Sequence, residues 1–343
     1  MEPTLAKSDL PPSRPRPGSP GEACPACGAS EACVLFAAAD RLCVATGRFQ
    51  IVECTQCRLI RLDPQPTPQE LRACFPPNYW SEAEATALHG LGRFYRRLVL
   101  RDHLRFVERA WREAESQGIL LDAGYGSGLL MKMLAERADK VGRDGKGGRG
   151  SAKVASLNAT PDALSKHSGI PAICGTLSKA PLAPGSCAVI TMFQVIEHLY
   201  DPAGYLHAAW SLLAPGGRLI VQAPNAASWQ FLLFGERWSG LDVPRRVVHF
   251  RLKEMENLLE SCGFEILRCR HFSIRHNPQG MASSLAPLLD PTGRRLRRVI
   301  ETPRVRLPKD LAFFTLVAAC LPFTVLEAAC RAGSTVMIEA RKK

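Results

Sequence analysis

The chain is short of acid. Its 32 Asp and Glu stand against 44 Lys and Arg, leaving a net charge of +12. Such a surplus invites an anionic partner: nucleic acid, a membrane surface or an acidic substrate. Also missing is an apolar segment after Met1; the stretch there is rich in proline, serine and arginine. That argues against secretion, so the 13 cysteines, an odd number, are expected as reduced thiols in the cytoplasm. The uncharged stretch Leu311–Leu326 is only sixteen residues long, is interrupted by Pro322 and is followed by Glu327, which is short for a membrane span. What remains is a globular composition, 46% hydrophobic and 22% charged over 343 residues, enough for one large domain and a small one.

Residues 1–22 carry Pro3, Pro11, Pro12, Pro15, Pro17 and Pro20 without apolar periodicity, the pattern of a disordered leader. Two C-x-x-C pairs follow, Cys24 with Cys27 and Cys54 with Cys57. This spacing points to a zinc ribbon over residues 23–60, because four thiolates close a tetrahedral Zn²⁺ shell and leave no open position for catalysis. The alternative is paired cysteines without metal. Val34–Phe36 and Phe49–Glu53 supply candidate ribbon strands, and Arg58 stands where a second knuckle more often has glycine. Cys33 and Cys43 fall outside the paired spacing and read as small apolar residues. Residues 61–118 form a linker and N-terminal helices. The linker is rich in proline (Pro64, Pro66, Pro68, Pro76, Pro77), and Phe94, Leu98, Leu104, Val107 and Trp111 recur at helical spacing.

The chain is organised around Ile119–Leu134. An apolar run, Ile119-Leu120-Leu121, ends in Asp122; Gly124, Gly126 and Gly128 follow, then a helix-period stretch from Leu129 to Ala138. A buried strand, a tight turn and a helix start make a nucleotide-binding βα unit, whose glycines let a ligand lie against the backbone. The free N–H groups of the helix start favour a carboxylate or phosphate. With the acid inside it, D-x-G-x-G-x-G resembles motif I of class I S-adenosylmethionine (SAM)-dependent methyltransferases more than the G-x-G-x-x-G of dinucleotide enzymes. The alternative is a glycine-rich turn in another α/β protein.

Later segments extend the resemblance over residues 119–275. Cys187–Val195 is a continuous apolar run suited to a central parallel strand. It leads into Gln194-Val-Ile-Glu197-His198-Leu-Tyr-Asp201-Pro202, which is similar to the V-[IL]-E-H-[LV]-x-D-P signature of methyltransferases acting on quinone precursors, sugars and other small molecules. Leu213-Ala-Pro-Gly-Gly217-Arg-Leu matches the L-x-P-G-G-x-L pattern of the same family. A cap over 226–251 resembles the W-x(n)-D-x-P-R-H-x-x-H-F segment of one branch, with Arg246 where a histidine is usual. The resemblance implies an α/β, Rossmann-like seven-stranded methyltransferase sheet over 119–343, mostly parallel with its last strand antiparallel, behind a small N-terminal zinc ribbon.

It also implies a site. Asp122, Gly124, Gly126 and Gly128 cradle the methionine end of SAM, Asn158 faces the ribose, Thr176 lies near the adenine, and Gln194 joins the cofactor set. The family usually ends its second strand, here read as Lys153–Leu157, in an acid where this chain has Asn158, whose amide accepts and donates but lacks charge. Asn158 reads equally as a turn residue before Thr160-Pro161. An oxygen acceptor must lose a proton, and a neutral histidine suits that task. His198 is the first candidate for the base, with Glu197 orienting it or helping to bind a cation, and His249 is the second; the alternative for His198 is a strand cap.

The expected partner is a small-molecule or glycan-type acceptor, free or lipid-linked. The alternatives are an RNA methyltransferase and a non-catalytic member of the fold. Val-Ile-Glu-His stands where amino-group methyltransferases of nucleic acids place [DN]-P-P-[YF], which speaks against RNA. In the insertion 290–331, Arg294, Arg295, Arg297, Arg298, Arg304, Arg306 and Lys309 precede Leu311–Leu326. Two readings stand side by side: an interfacial hairpin on anionic lipid at the inner face of the membrane, or a buried helix pair or dimer interface.

Overall fold

Two sheets carry the architecture of the computed structural model, which describes residues 23–75, 98–114, 116, 118–124, 129–143, 154–158, 171–296 and 303–343. The expected leader, Gly126, Gly128, the Asn158 side chain and the glycine-rich loop after residue 143 lie outside the described residues. The first sheet begins as an antiparallel meander of β1 (Ala32–Ala39), β2 (Arg48–Cys54) and β3 (Ile60–Leu62), on the expected ribbon segments. Cys33 and Cys43 do not pack as small apolar residues; both are exposed. Helix α1 (Pro68–Ala73) starts at a capping box: Thr67 Oγ1 accepts from the Glu70 N–H, and the Glu70 carboxylate accepts from the Thr67 N–H at 2.7 Å.

Helix α2 (Arg101–Glu113) turns Leu104, Phe106, Val107 and Ala110 inward, as its periodicity predicts. Strand and helix then alternate: β4 (Ile119–Ala123), α3 (Leu129–Arg143), β5 (Val154–Asn158), β6 (Ala172–Cys174), β7 (Cys187–Phe193), α4 (Pro202–Leu212) and β8 (Leu213–Pro224). These five strands pair in parallel. Because helices cover both faces, β7 is buried at every residue from Cys187 to Met192, which is why it reads as an unbroken apolar run. The chain continues through α5 (Trp229–Phe234), β9 (Val248–His249), α6 (Leu252–Ser261), β10 (Phe264–Arg270), α7 (Asn277–Leu285), α8 (Pro291–Leu296), α9 (Pro303–Ala329) and β11 (Thr335–Lys342). The large sheet runs β10-β11-β8-β7-β4-β5-β6, with β11 antiparallel to both neighbours. It is the Rossmann-like, seven-stranded methyltransferase arrangement.

Two features depart from the expectations drawn from sequence. β9, from the cap, pairs with β3 and completes the first sheet in the order β1-β2-β3-β9. Two residues are too few to carry a strand period, so the pairing is invisible in the chain. Within the insertion, the stretch Leu311–Leu326, read as a hairpin or as part of a buried pair or dimer interface, lies in a single helix, α9, that passes through Pro308 and Pro322 and leaves most of its surface exposed.

Candidate active site and metal centre

Ligands in open α/β sheets lie off the carboxyl ends of the parallel strands. A cleft of about 460 Å³ opens there, lined by Ala123 at the end of β4 and Gly124 after it, Leu157 of β5, Thr176 after β6, and Tyr200 and Tyr205 beyond β7. The register sets Asp122 opposite Thr191, whose hydroxyl donates to the Asp122 carboxylate at 2.6 Å. At Gly175 (φ +146°), another wall residue, an added Cβ would meet only the Lys179 carbonyl, at 4.0 Å, so it would project into open space. Size, glycine walls and a carboxylate at one end fit a nucleoside-type cofactor such as SAM. Gly124 and Thr176 line this cleft and Asp122 adjoins it, while Asn158 closes β5 beside Leu157.

The remaining candidates gather around the turn after β7. Gln194 takes φ +56°, and Ile196–His198 form a single helical turn. Glu197 is buried, and among the described residues neither of its carboxylate oxygens has a hydrogen-bond partner. The nearest cation is Arg246, whose Nε lies 3.5 Å from Oε1. Burial, only partly offset by Arg246, pushes the Glu197 carboxyl up to about 7. Arg246 also donates to Gln194 Oε1 at 3.0 Å, leaving Gln194 Nε2 without a partner. Gln194 therefore meets the cap arginine, although the resemblance put it in the cofactor set. The His198 Nδ1–H donates to the Arg245 carbonyl at 2.6 Å, and its ring stands edge-on to Phe75. Burial and then Arg246 push His198 down to about 4 and the buried His249 down to about 3. His249 Nε2 is likewise unpartnered.

Glu197 thus does not orient His198. Consecutive cap residues come between them, the Arg245 carbonyl fixing the imidazole and the Arg246 guanidinium facing the carboxylate. Sequence reasoning noted Arg246 only as a departure from the family pattern and missed its contacts. It also missed a buried dyad in which the His103 Nδ1–H donates to Asp102 at 2.9 Å, with Gln222 of β8 against Nε2. The dyad abuts the site because the His103 ring packs on Phe193, 5.3 Å between centroids. An adjacent Asp-His pair in the first turn of an apolar-periodic helix was its only trace.

At the ribbon end, Cys24, Cys27, Cys54 and Cys57 bring their Sγ atoms within 4.8 Å of one another, with Cys24···Cys57 at 3.5 Å and Cys27···Cys54 at 3.6 Å. A tetrahedral zinc with bonds of about 2.3 Å separates its sulfurs by about 3.8 Å, so the set fits that ion. Burial pushes the Cys24 thiol up despite the backbone N–H groups of Ala26 and Cys27, whereas at Cys54 the N–H groups of Gln56 and Cys57 outweigh burial and lower the thiol to about 7. Each knuckle closes through a left-handed residue, Gly28 at φ +76° and Arg58 at φ +64°.

A family model described as a methyltransferase domain matches residues 92–268. A probable S-adenosylmethionine-dependent methyltransferase of Mycolicibacterium smegmatis is 33% identical over 152 residues, covering 43% of this chain and 52% of that one. A ubiquinone biosynthesis O-methyltransferase of Psychrobacter cryohalolentis is 32% identical, covering 38% and 55%. The chain thus spans about half the length of the curated relatives it matches. Among solved structures, a putative sarcosine dimethylglycine methyltransferase from Galdieria sulphuraria is 15% identical with a TM-score of 0.46, covering 72% and 86%.

Proposed function

The chain belongs to the methyltransferase-domain family, and on that premise we propose that it is a SAM-dependent methyltransferase of a small-molecule or glycan-type acceptor, with oxygen as the methylated atom. Bound SAM supplies an electrophilic methyl group on a sulfonium sulfur. The protein's part is to align the acceptor, exclude water and take up a proton. Asp122, Gly124, Thr176 and Asn158 are the residues that would hold the cofactor. The name of the ubiquinone biosynthesis O-methyltransferases among its relatives specifies transfer to oxygen, in line with this reading.

One observation carries the proposal: a buried carboxylate, Glu197, beyond the end of β7, which faces Arg246 at 3.5 Å and accepts no hydrogen bond from the described residues. A carboxyl held near 7 is matched to general-base work at neutral pH, whereas His198, at about 4, is a weak base. Glu197 takes the acceptor hydroxyl proton on a carboxylate oxygen. Gln194 Nε2 and His249 Nε2, both unpartnered, offer hydrogen bonds to the acceptor. His198, neutral and tied to the Arg245 carbonyl, holds the cap in register. At the far end, the four cysteines hold a structural Zn²⁺, and reduced thiols of this kind suit a cytoplasmic protein.

The test is Glu197→Gln, assayed with free and lipid-linked glycans and phenols as acceptors. The substitution should lower kcat by roughly 100-fold while calorimetric SAM affinity stays unchanged. A base must be ionised, so wild-type kcat should rise with pH through about 7 and then level off. Glu197→Gln should lose that rise. An unaltered rate and profile would put the base elsewhere.

A further inference from the structure

The largest feature the proposed chemistry leaves unused is α9. It is long and apolar enough to cross a membrane by length and composition. Its buried stripe is narrow, however, consisting of Phe313, Cys320, Thr324 and Glu327 against α7 and its neighbours. Leu307 (64% exposed), Leu311 (68%), Phe314, Leu321, Val325 and Leu326 face outward. Helix α5 adds exposed Leu232 and Leu233 beside it, since Trp229 packs on Phe323 with ring centroids 6.0 Å apart. A helix at a water boundary hides one stripe and shows polar residues on the other side. In this one the outward side between Leu307 and Leu326 is mostly apolar.

We propose that this face docks on an anionic lipid bilayer, with α9 lying in the interfacial plane. The helix does not span. Glu327, near its C-terminus, is buried and accepts from the Gln230 N–H at 3.0 Å and Nε2 at 2.9 Å. The strands before and after it in the chain, β10 and β11, pair in one sheet, so both ends belong to the same side. Charge selects the occupant. Exposed Arg304 stands at one end, next to Arg306, which pairs with Asp310 at 3.6 Å, and exposed Arg331 stands beyond the other, on a chain of net charge +12. Lipid phosphates neutralise both ends. A second copy laid along the same face, in either direction, would set cations against cations. Helix α9 packs along α7, which begins next to His276, whose ring lies 5.9 Å from that of His103 near the site. Docking therefore brings the catalytic cap to the level of lipid-borne acceptors, although it does not depend on which acceptor is used.

The experiment is flotation of the full chain with phosphatidylcholine vesicles, with and without phosphatidylglycerol. Binding should favour the anionic vesicles by roughly 10-fold or more and weaken as salt rises. A variant carrying Leu311→Glu and Phe314→Glu, both at exposed positions, should lose binding by at least about 10-fold with unchanged thermal unfolding. One carrying Arg304→Glu and Arg331→Glu should lose the anionic preference alone. Absent flotation, or flotation indifferent to these variants, overturns the inference. So does a dimer by sedimentation equilibrium that the Leu311/Phe314 variant makes monomeric without any vesicle binding. SAM titration of each sample separates failure here from failure of the methyltransferase reading.

Discussion

Arg58 holds φ +64° after its C-x-x-C pair, a conformation in which a Cβ costs roughly 1 kcal/mol or more. Its guanidinium pairs with Glu53 at 2.5 Å, but the side chain is largely exposed, so the pair is worth little. Arg58→Gly should therefore raise stability by up to about 1 kcal/mol, measured as the urea midpoint of the zinc-loaded protein. The departure from glycine was legible in the sequence; the Glu53 contact was not. Glu197 shows the same division. Its place after an apolar strand could be read from the motif, but its burial and missing partners depend on Arg246, 49 positions on. Lone-pair accounting across such a separation needs coordinates.

Among the elements, the two-residue strand β9 and the residue before it, Val247, join the ribbon sheet to the turn after β7. Leu62 of β3 donates to the Val247 carbonyl at 3.0 Å, and the Val247 N–H donates to the Glu197 carbonyl at 2.9 Å. The ribbon sheet therefore reaches the turn that carries Glu197 through two backbone hydrogen bonds. Next to this path, Arg245 is fully buried between Asp40, after β1, and Asp242, with the Cys74 carbonyl completing its shell. The Asp40 carboxylate also accepts N–H groups from Leu42, Val44 and Ala45 at 2.8–2.9 Å. Asp40→Ala strands part of a buried cation and should cost about 3–5 kcal/mol in chemical denaturation. A loss under about 1 kcal/mol would mean that solvent reaches the guanidinium.

For the molecule as a whole, this connectivity predicts that the proposed metal and the proposed catalysis depend on one another. Stripping zinc with a chelator under reducing conditions should lower the thermal midpoint by at least roughly 5 °C. Methyl transfer should fall with it, as Val247 lets go of Glu197. A metal-free sample with full activity would show the ribbon to be an independent appendage.

By itself, the sequence determined whatever is written in local pattern. The glycine motif, the buried apolar run of β7, the alternation of strand and helix and the two C-x-x-C pairs each reflect short-range geometry: a tight turn, burial on both faces, a knuckle. Through the family resemblance that these motifs carry, they implied the seven-stranded sheet and put the candidate site at its carboxyl edge. Tertiary structure alone decided what depends on distant partners. It joined β9 to the ribbon, set Arg246 rather than His198 against Glu197, brought His103 to Phe193, and left α9 with an apolar outer face. A helix of that composition looks the same in a buried pair, a hairpin or an interface, because periodicity reports how apolar each face is and not what covers it.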